Sequence, residues 1–385
     1  MIARRQQVAV AVAGLLTAAA ACQAQHHDPK ASGRPAPPAA RGFTLVAAGD
    51  ILPHSAVVDR ARFDAGGTGY DFRPMLAAVQ PLVSRADLAL CHIESVYGDS
   101  TSTSTSTGTE ALTSPPEVAQ GLAATGYDSC STASDHSLDE GTVGIQRTLD
   151  TLDRAGVRHT GTARTDAEAR TVTLLRAGPA KVAHLAYTAD TNGVPLTPAE
   201  PWAVNLLDPA RVLADARAAR RAGADAVVVS LRWGTAGQNA PDPQQLALAR
   251  ELTAARTDGR PDIDLVLGTQ AHAPQAYEKV NGTWVVYGLG DQITGEMYDN
   301  AGTQDPGGNL STLGRFTFVP PARPGGRWEV TKAEFVPQLF DIDAGRVVDV
   351  NQAIGQGADL TGDRDRIREV VLSRGAAKDG LVMGK

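Results

Sequence analysis

A chain of 385 residues with 42% apolar side chains can bury a large core, as one large α/β domain or as two smaller ones. Its formal net charge is −7, and no basic run is interleaved with aromatics, which argues against a nucleic-acid partner.

The first residues carry a basic start at Arg4 and Arg5, an apolar stretch from Val8 to Leu16, and small residues ending in Cys22. This order reads as an export signal over residues 1–22, too short for a spanning helix of ~20 apolar residues. Cys22 follows three alanines and is similar to the lipidated cysteine of a bacterial lipobox; ordinary cleavage near the alanines is the alternative. Residues 23–41, rich in Pro and Ala, read as a stiff linker in which His26 and His27 are tether rather than ligands. With Cys22 assigned to lipid, Cys91 and Cys130 remain near the ends of two expected strands. They are either a disulfide formed in an oxidising compartment or two buried thiols.

From Phe43 onward, apolar β-rich runs alternate with helical ones: FTLVAAGD, a helix near 72–84, ADLALCHIES, a helix near 115–125, YDSCSTASDH, and a helix near 144–155. That cadence predicts parallel strands joined by crossover helices. TVTLLRA, KVAHLAYT, a helix over 209–222, AVVVSLRW, a helix over 243–256, DLVLGTQAH and TWVVYGLGD continue it. RFTFVPP, WEVTKAEFVPQ and RVVDV read as antiparallel strands, and 364–373 as a surface helix before the tail. The run STSTSTSTGT at 100–109 reads as a low-complexity surface loop at the mouth of any site near Glu94.

In a parallel α/β sheet, ligands gather outside the carboxyl ends of the strands, and polar residues collect at those ends here. Asp50 and His54 follow the first run; His92 and Glu94, two apart and so on one face of a continuing strand, follow the second. Asp135 and His136 follow the third, Arg232 closes AVVVSLRW, Gln270 and His272 follow DLVLGT, and Asp291 follows WVVYGLG. Any one of them has an ordinary explanation as a turn or helix cap. A set in register points to a site.

The segments GDILPH, CHIES, GYDSCSTASDHSLDEG, RWG, GTQAH and VVYGLGD resemble, in order and context, the CapA family of poly-γ-glutamate capsule synthesis proteins over about 43–320. The resemblance implies a calcineurin-like metallophosphoesterase fold: α/β, with mixed sheets sandwiched together and flanked by helices. Residues 42–320 would form the domain and 321–385 the strands, helix and tail that close it. In such proteins carboxylates, an asparagine and histidines hold two metals. Asp50, Glu94, His136 and His272 match that pattern. His92 and Asp135 stand where the family has Asn, Arg232 where it has His, Thr269 and Gln270 where it has two His, Asp291 where it has Asn, and Ala236 where it has an acid.

The imidazoles replaced by Arg232 and Gln270 would serve one of the two metals. A guanidinium cannot ligate a cation and repels it by roughly 4 kcal/mol per unit charge at ~4 Å in an intermediate dielectric. The resemblance therefore implies either one divalent metal (Zn, Mn or Fe) held by Asp50, His54, Glu94 or His92, and His272, or no metal, with Arg232 hydrogen-bonded to Asp135 or Glu94. The protein so implied is exported, as a lipoprotein on the outer face of the cell membrane or secreted. It serves the synthesis or export of an anionic capsule polymer, has that polymer or its synthesis machinery as partner, and acts by binding. An alternative is a single-metal hydrolase of phosphoesters or amides, with His136 as the acid or base positioned by Asp135, and with Arg232 holding a substrate phosphate or carboxylate. A sugar- or peptide-binding surface protein on the same scaffold is the third reading.

Overall fold

The computed structural model describes residues 41–98, 103–104, 110–297, 307–323 and 326–384. The expected export signal, the linker apart from Arg41, and most of the 100–109 run lie outside the described residues.

The first strand, β1 (Phe43–Ile51), shows why the chain builds two layers of sheet. Leu45 and Ala47 enter one core while Val46 and Ala48 enter another, the period-two alternation of a pleated strand with both faces buried. Helix α1 (Ser55–Asp64) follows, then β2 (Leu88–Ile93), α2 (Glu117–Thr125), β3 (Ser129–Ser131), α3 (Gly141–Ala155) and β4 (Arg158–Thr160). The hairpin of β5 (Thr173–Ala177) and β6 (Ala180–Thr188) leads through α4 (Pro209–Arg221) to β7 (Ala226–Arg232). Next come α5 (Pro243–Ala254), β8 (Leu265–Thr269), β9 (Tyr277–Val280), β10 (Thr283–Val286) and β11 (Asp291–Ile293). β12 (Leu310–Val319), β13 (Glu329–Asp341), β14 (Arg346–Asp349), α6 (Thr361–Leu372) and β15 (Leu381–Met383) complete the chain.

One sheet has the order β14-β13-β12-β1-β2-β3-β4, with β11 also paired to β1 and β15 to β13; the other has the order β9-β10-β8-β7-β6-β5. β1 to β4 run parallel, as do β6, β7, β8 and β10, whereas β12 to β14 are antiparallel. The sheets bury Leu45, Leu90, Val228, Leu267 and Phe316 between them. α2 and α3 cover the outer face of the first sheet through Val118, Leu122, Ile145 and Leu149. α4 and α5 cover the second through Val212, Ala216, Ala249 and Leu252. The result is the mixed-sheet α/β sandwich, flanked by helices, that the sequence predicts. Among the described residues no helix is long and apolar enough to cross a membrane.

Local departures have local causes. The helix expected over 72–84 is broken into a turn at Pro74–Leu76 and a short helix at Gln80–Val83, because Pro74 and Pro81 can stand at a helix start but not in its interior. YDSCSTASDH is strand only at Ser129–Ser131. Beyond it Ser137 Oγ donates to Thr132 O and accepts from Ser134 N, both at 2.8 Å, turning the chain before Asp135. Cys91 and Cys130 face each other in register on β2 and β3, with Cα atoms 4.4 Å apart, and are disulfide-bonded. This resolves the pair left open by the sequence.

A polar strut crosses the core between the sheets. His184 on β6 hydrogen-bonds the Ser129 hydroxyl through Nδ1 and the Ser230 hydroxyl through Nε2, each at 3.0 Å, and is fully buried. Burial pushes its pKa down to about 3, whereas the unfolded imidazole titrates near ~6.5. The unfolded chain therefore binds a proton between those values that the folded one refuses. Stability from this group is complete above pH ~6.5 and falls as the pH drops toward about 3. Denaturant unfolding followed from pH 7.5 to pH 4 should show a steeper loss for the wild type than for His184→Asn, which has nothing to titrate there. Parallel profiles would contradict the strut.

Candidate metal centre

Asp50 lies one residue before the end of β1, in register with His92 on β2 and Asp291 on β11. Gly49 allows this approach: a Cβ there would stand 1.8 Å from the Gly290 carbonyl oxygen. From the other sheet comes Arg232, the last residue of β7. Its neighbours hold it in place. The Trp233 indole N–H donates to Tyr287 O at 2.8 Å and the two rings stack at 5.9 Å. Gly234, at φ 88°, packs where a Cβ would strike Gln245.

The Arg232 side chain has no solvent exposure and reaches three carboxylates at once. Nε donates to Asp135 Oδ1 at 2.5 Å, Nη1 to Asp50 Oδ1 at 3.1 Å, and Nη2 to Glu94 Oε1 at 2.5 Å. Burial works against the charge, but Glu94, Asp135 and Asp50 together outweigh it and hold the guanidinium's pKa well above its ordinary value. Asp135 answers in kind: burial raises its pKa, while Arg232 and then His136 bring it far below the usual carboxylate range. Asp50 goes the other way. Burial and the neighbouring Glu94 lift its pKa well above the usual range, with Arg232 offsetting only part.

This placement corrects the expectation that Arg232 binds substrate. Its nitrogens face inward to acids of the protein, with no surface left for a ligand. The guanidinium also bridges three acids, not the one or two expected.

On the far side of Glu94 stands His272. β8 stops at Thr269, and Gln270 and His272 take left-handed backbone angles, φ 89° and 52°, so the rule that residues two apart share a strand face does not apply to them. His272 Nδ1 lies 3.0 and 3.1 Å from the two Asp291 oxygens, and Nε2 lies 3.7 Å from Glu94 Oε1. Burial opposes protonation of this imidazole, but Asp291 and then Glu94 overcome it, pushing its pKa up to about 10.

Ligand atoms of Asp50, Glu94 and His272 lie within 4.8 Å of one another, as do those of Glu94, Asp135 and His136. The first group fits a cation. Asp50 Oδ2 and Glu94 Oε2 are buried without a hydrogen-bond partner, a costly state for a carboxylate oxygen. The Asp291 carboxylate orients the His272 ring through Nδ1, as outer carboxylates do for metal-binding histidines. His92 is close by, with Nε2 3.4 Å from Asp50 Oδ1 and neither ring nitrogen hydrogen-bonded. Burial, then Arg232, lowers its pKa well below the ordinary value and keeps it neutral, as a ligand must be. The second group fits a cation poorly, because Glu94 and Asp135 already accept from Arg232.

Two of the expected residues have partners other than those expected. His54 belongs to neither group; it begins α1, packs against Gly295 and lines a cleft of about 240 Å³ with Ser95, Thr113 and Ser114. His136 is oriented by Asp139, not by Asp135: Nδ1 lies 2.7 Å from Asp139 Oδ2, and Nε2 is 4.0 Å from both Asp135 and Glu94. Asp135 is held by Arg232, and the turn brings Asp139 round, three residues past His136, with its N–H on the His136 carbonyl. Burial lowers the His136 pKa, but the Asp139 bond and then Asp135 leave it raised. Asp139 had no signal of its own in the sequence beyond its place three residues after His136. Asn192, 3.3 Å from His136 Nε2, carried no signal in the motifs.

An α/β sandwich with an acid-and-histidine cluster where its two sheets meet defines the class. The family model of the bacterial capsule synthesis protein PGA_cap matches residues 44–296, and the chain belongs to that family. A probable polyglutamine synthesis accessory protein of Mycobacterium tuberculosis is 31% identical over 179 residues, 43% of this chain and 44% of that protein. The capsule biosynthesis protein CapA of Bacillus anthracis is 23% identical over 185 residues, 47% of this chain and 44% of that protein. The chain thus spans less than half the length of these relatives. Similar solved structures include a putative 5′-nucleotidase of Staphylococcus aureus (TM-score 0.46, 14% identity, 86% of this chain and 58% of that one). The calcineurin-like phosphoesterase YfkN of Bacillus subtilis is another (TM-score 0.42, 12% identity, 85% and 98%). Likeness of this size carries no argument about chemistry.

Removing the guanidinium should leave three buried acids uncompensated. Arg232→Ala is expected to lower stability by about 3–5 kcal/mol, and millimolar Mn²⁺ should restore more of the melting temperature in the variant than it adds to the wild type. Equal Mn²⁺ responses would show that Arg232 does not occupy a cation's place.

Proposed function

We propose that this protein is an exported envelope component, lipidated at Cys22, that serves capsule or poly-γ-glutamate polymer synthesis by binding the polymer or its synthesis machinery at a single-cation centre. The observation that carries this reading is the three-way pairing of buried Arg232. Export is supported by the N-terminal pattern and is consistent with the Cys91–Cys130 disulfide. The capsule role is supported by family membership and by what the relatives' names say of those proteins.

Asp50, Glu94 and His272, with His92 adjacent, would hold the cation, while Asp291 keeps the His272 ring turned toward it. A bound divalent cation supplies a positive point for an anionic ligand group in a protein that is otherwise acidic. Two-metal phosphoesterases stabilise both the attacking and the leaving oxygen with a pair of metals about 3.5–4 Å apart. With Arg232 between Glu94 and Asp135 that pair cannot form, which favours binding over hydrolysis.

One observation favours the alternative of a single-cation hydrolase acting on phosphoesters or amides. His136 is joined to Asp139 through Nδ1, and its Nε2 faces the acids of the centre, an arrangement that could accept and return a proton. The sugar- or peptide-binding reading has no residue of its own in its favour.

The double change Arg232→His with Gln270→His removes the buried charge and restores both missing imidazoles. Metal analysis should find at most one divalent ion per wild-type chain and an increase toward two in the double variant. Turnover of a generic phosphodiester should be negligible in the wild type and detectable in the variant. Efficient turnover by the wild type would favour the hydrolase.

A further inference from the structure

A turn lies beside the centre and carries Asn192 to His136. After β6 the chain forms a tight bend from Asp190 to Val194. Asp190 Oδ1 accepts from Asn192 N at 2.9 Å, Thr188 Oγ1 donates to Asp190 O at 2.9 Å, and Thr191 Oγ1 donates to Val194 O at 2.6 Å. Ala189 N donates to Arg232 O at 2.9 Å, so the bend is fastened to the strand that carries the guanidinium. Asn192 sits at φ 51°, and Gly193 follows at 76°. Asparagine is one of the few residues other than glycine that accept this left-handed conformation, and residues held there gather at functional sites.

The conformation presents the Asn192 carboxamide to His136. Its Nδ2 lies 3.3 Å from Nε2 and 3.5 Å from Nδ1 of the ring. Asp139 engages Nδ1, so Nε2, joined among the described residues only to the Asn192 carboxamide at 3.3 Å, is the nitrogen a ligand would take over. His136 is also the most exposed of the clustered side chains, at 16% against 10% for His272 and 0% for Arg232 and Asp50. A ligand arriving from solvent therefore reaches His136 and the half-buried Asn192 before it reaches the cation ligands.

We propose that Asn192 and His136 form a two-point grip for a primary carboxamide of the ligand, which inserts in place of the bond between the two side chains: its carbonyl accepts from the Asn192 carboxamide, and its N–H donates to Nε2 of the neutral His136 ring. The inference rests on the reading of this centre as a ligand-binding site. A carboxamide beside an imidazole with one nitrogen already engaged offers a donor and an acceptor side by side, the complement of a primary carboxamide, whose C=O and one N–H point the same way, and not of a trans peptide amide. An oxyanion would need two donors and would lie against Asp139, with Asp190 on the same bend, while Arg232 spends its charge on Asp135 and Glu94. A neutral amide meets no such repulsion. Asn192 is thus a specificity-determining contact.

Asn192→Gly tests this, because glycine keeps the left-handed backbone and removes only the carboxamide. Calorimetric titration of the full chain with capped tetraglutamine and with inorganic phosphate, each with and without Zn²⁺, supplies the readouts. Loss of one hydrogen-bonded contact should weaken peptide binding about tenfold, with Zn²⁺ affinity, phosphate affinity and melting temperature unchanged. Asn192→Asp, which loses the donor and adds a charge, should weaken peptide binding as well. Undiminished peptide binding by Asn192→Gly, or no peptide binding by the wild type, overturns the grip. Failure of the wild type to take up Zn²⁺ would instead sink the single-cation reading, and the peptide comparison on metal-free protein would still decide the grip.

Discussion

A guanidinium buried among three carboxylates constrains everything around it. Arg232 arrives on one sheet, Asp50 and Glu94 on and just past strands of the other, and Asp135 on a serine-tied turn, so the pairing exists only when both sheets are assembled and in register. Taking these charges out of water is costly, and such networks are weak evidence for stability. What this one imposes is geometry. Gly49 lets β1 approach the Gly290 turn, and Trp233 with Gly234 locks the end of β7, because a small shift at either place would strand a buried charge.

One cation among several acids also leaves a deficit, and the remaining groups show it. Asp50 is driven toward its protonated form, His272 toward its imidazolium, and one oxygen each of Asp50 and Glu94 is left buried and unpartnered. In the absence of a metal, protons carry the balance; a divalent ion between Asp50, Glu94 and His272 would replace them and satisfy the orphaned oxygens at once. The opposite edge of Glu94 has no such need, since Arg232 already neutralises it together with Asp135. The centre is therefore asymmetric: on one side carboxylate oxygens of Asp50 and Glu94 have no hydrogen-bond partner, and on the other the Arg232 side chain fills the space between Glu94 and Asp135.

Much of the sandwich was readable in the sequence because buried parallel strands announce themselves as apolar runs; the helix expected over 243–256 is found at Pro243–Ala254, started by a capping box of Asp242 and Gln245. The cluster was readable for the same reason: its members follow strand ends. Position after a strand does not fix direction, however. His54 turns away into α1, and Gln270 with His272 leaves the extended conformation altogether. α1 itself, SAVVDRARFD, alternates too few apolar residues to stand out. Asp139 and Asn192 became visible only in three dimensions, since each reaches His136 through a turn held by serine, threonine or aspartate side chains that a linear pattern does not register.

The claim that Arg232 stands in a cation's place is most directly tested by locating metal in crystals grown with excess Mn²⁺ and measured for anomalous scattering. The account predicts one peak per chain, bounded by Asp50, Glu94 and His272, with the guanidinium still joined to Asp135. Two peaks flanking Glu94, with Arg232 displaced from the acids, would contradict it.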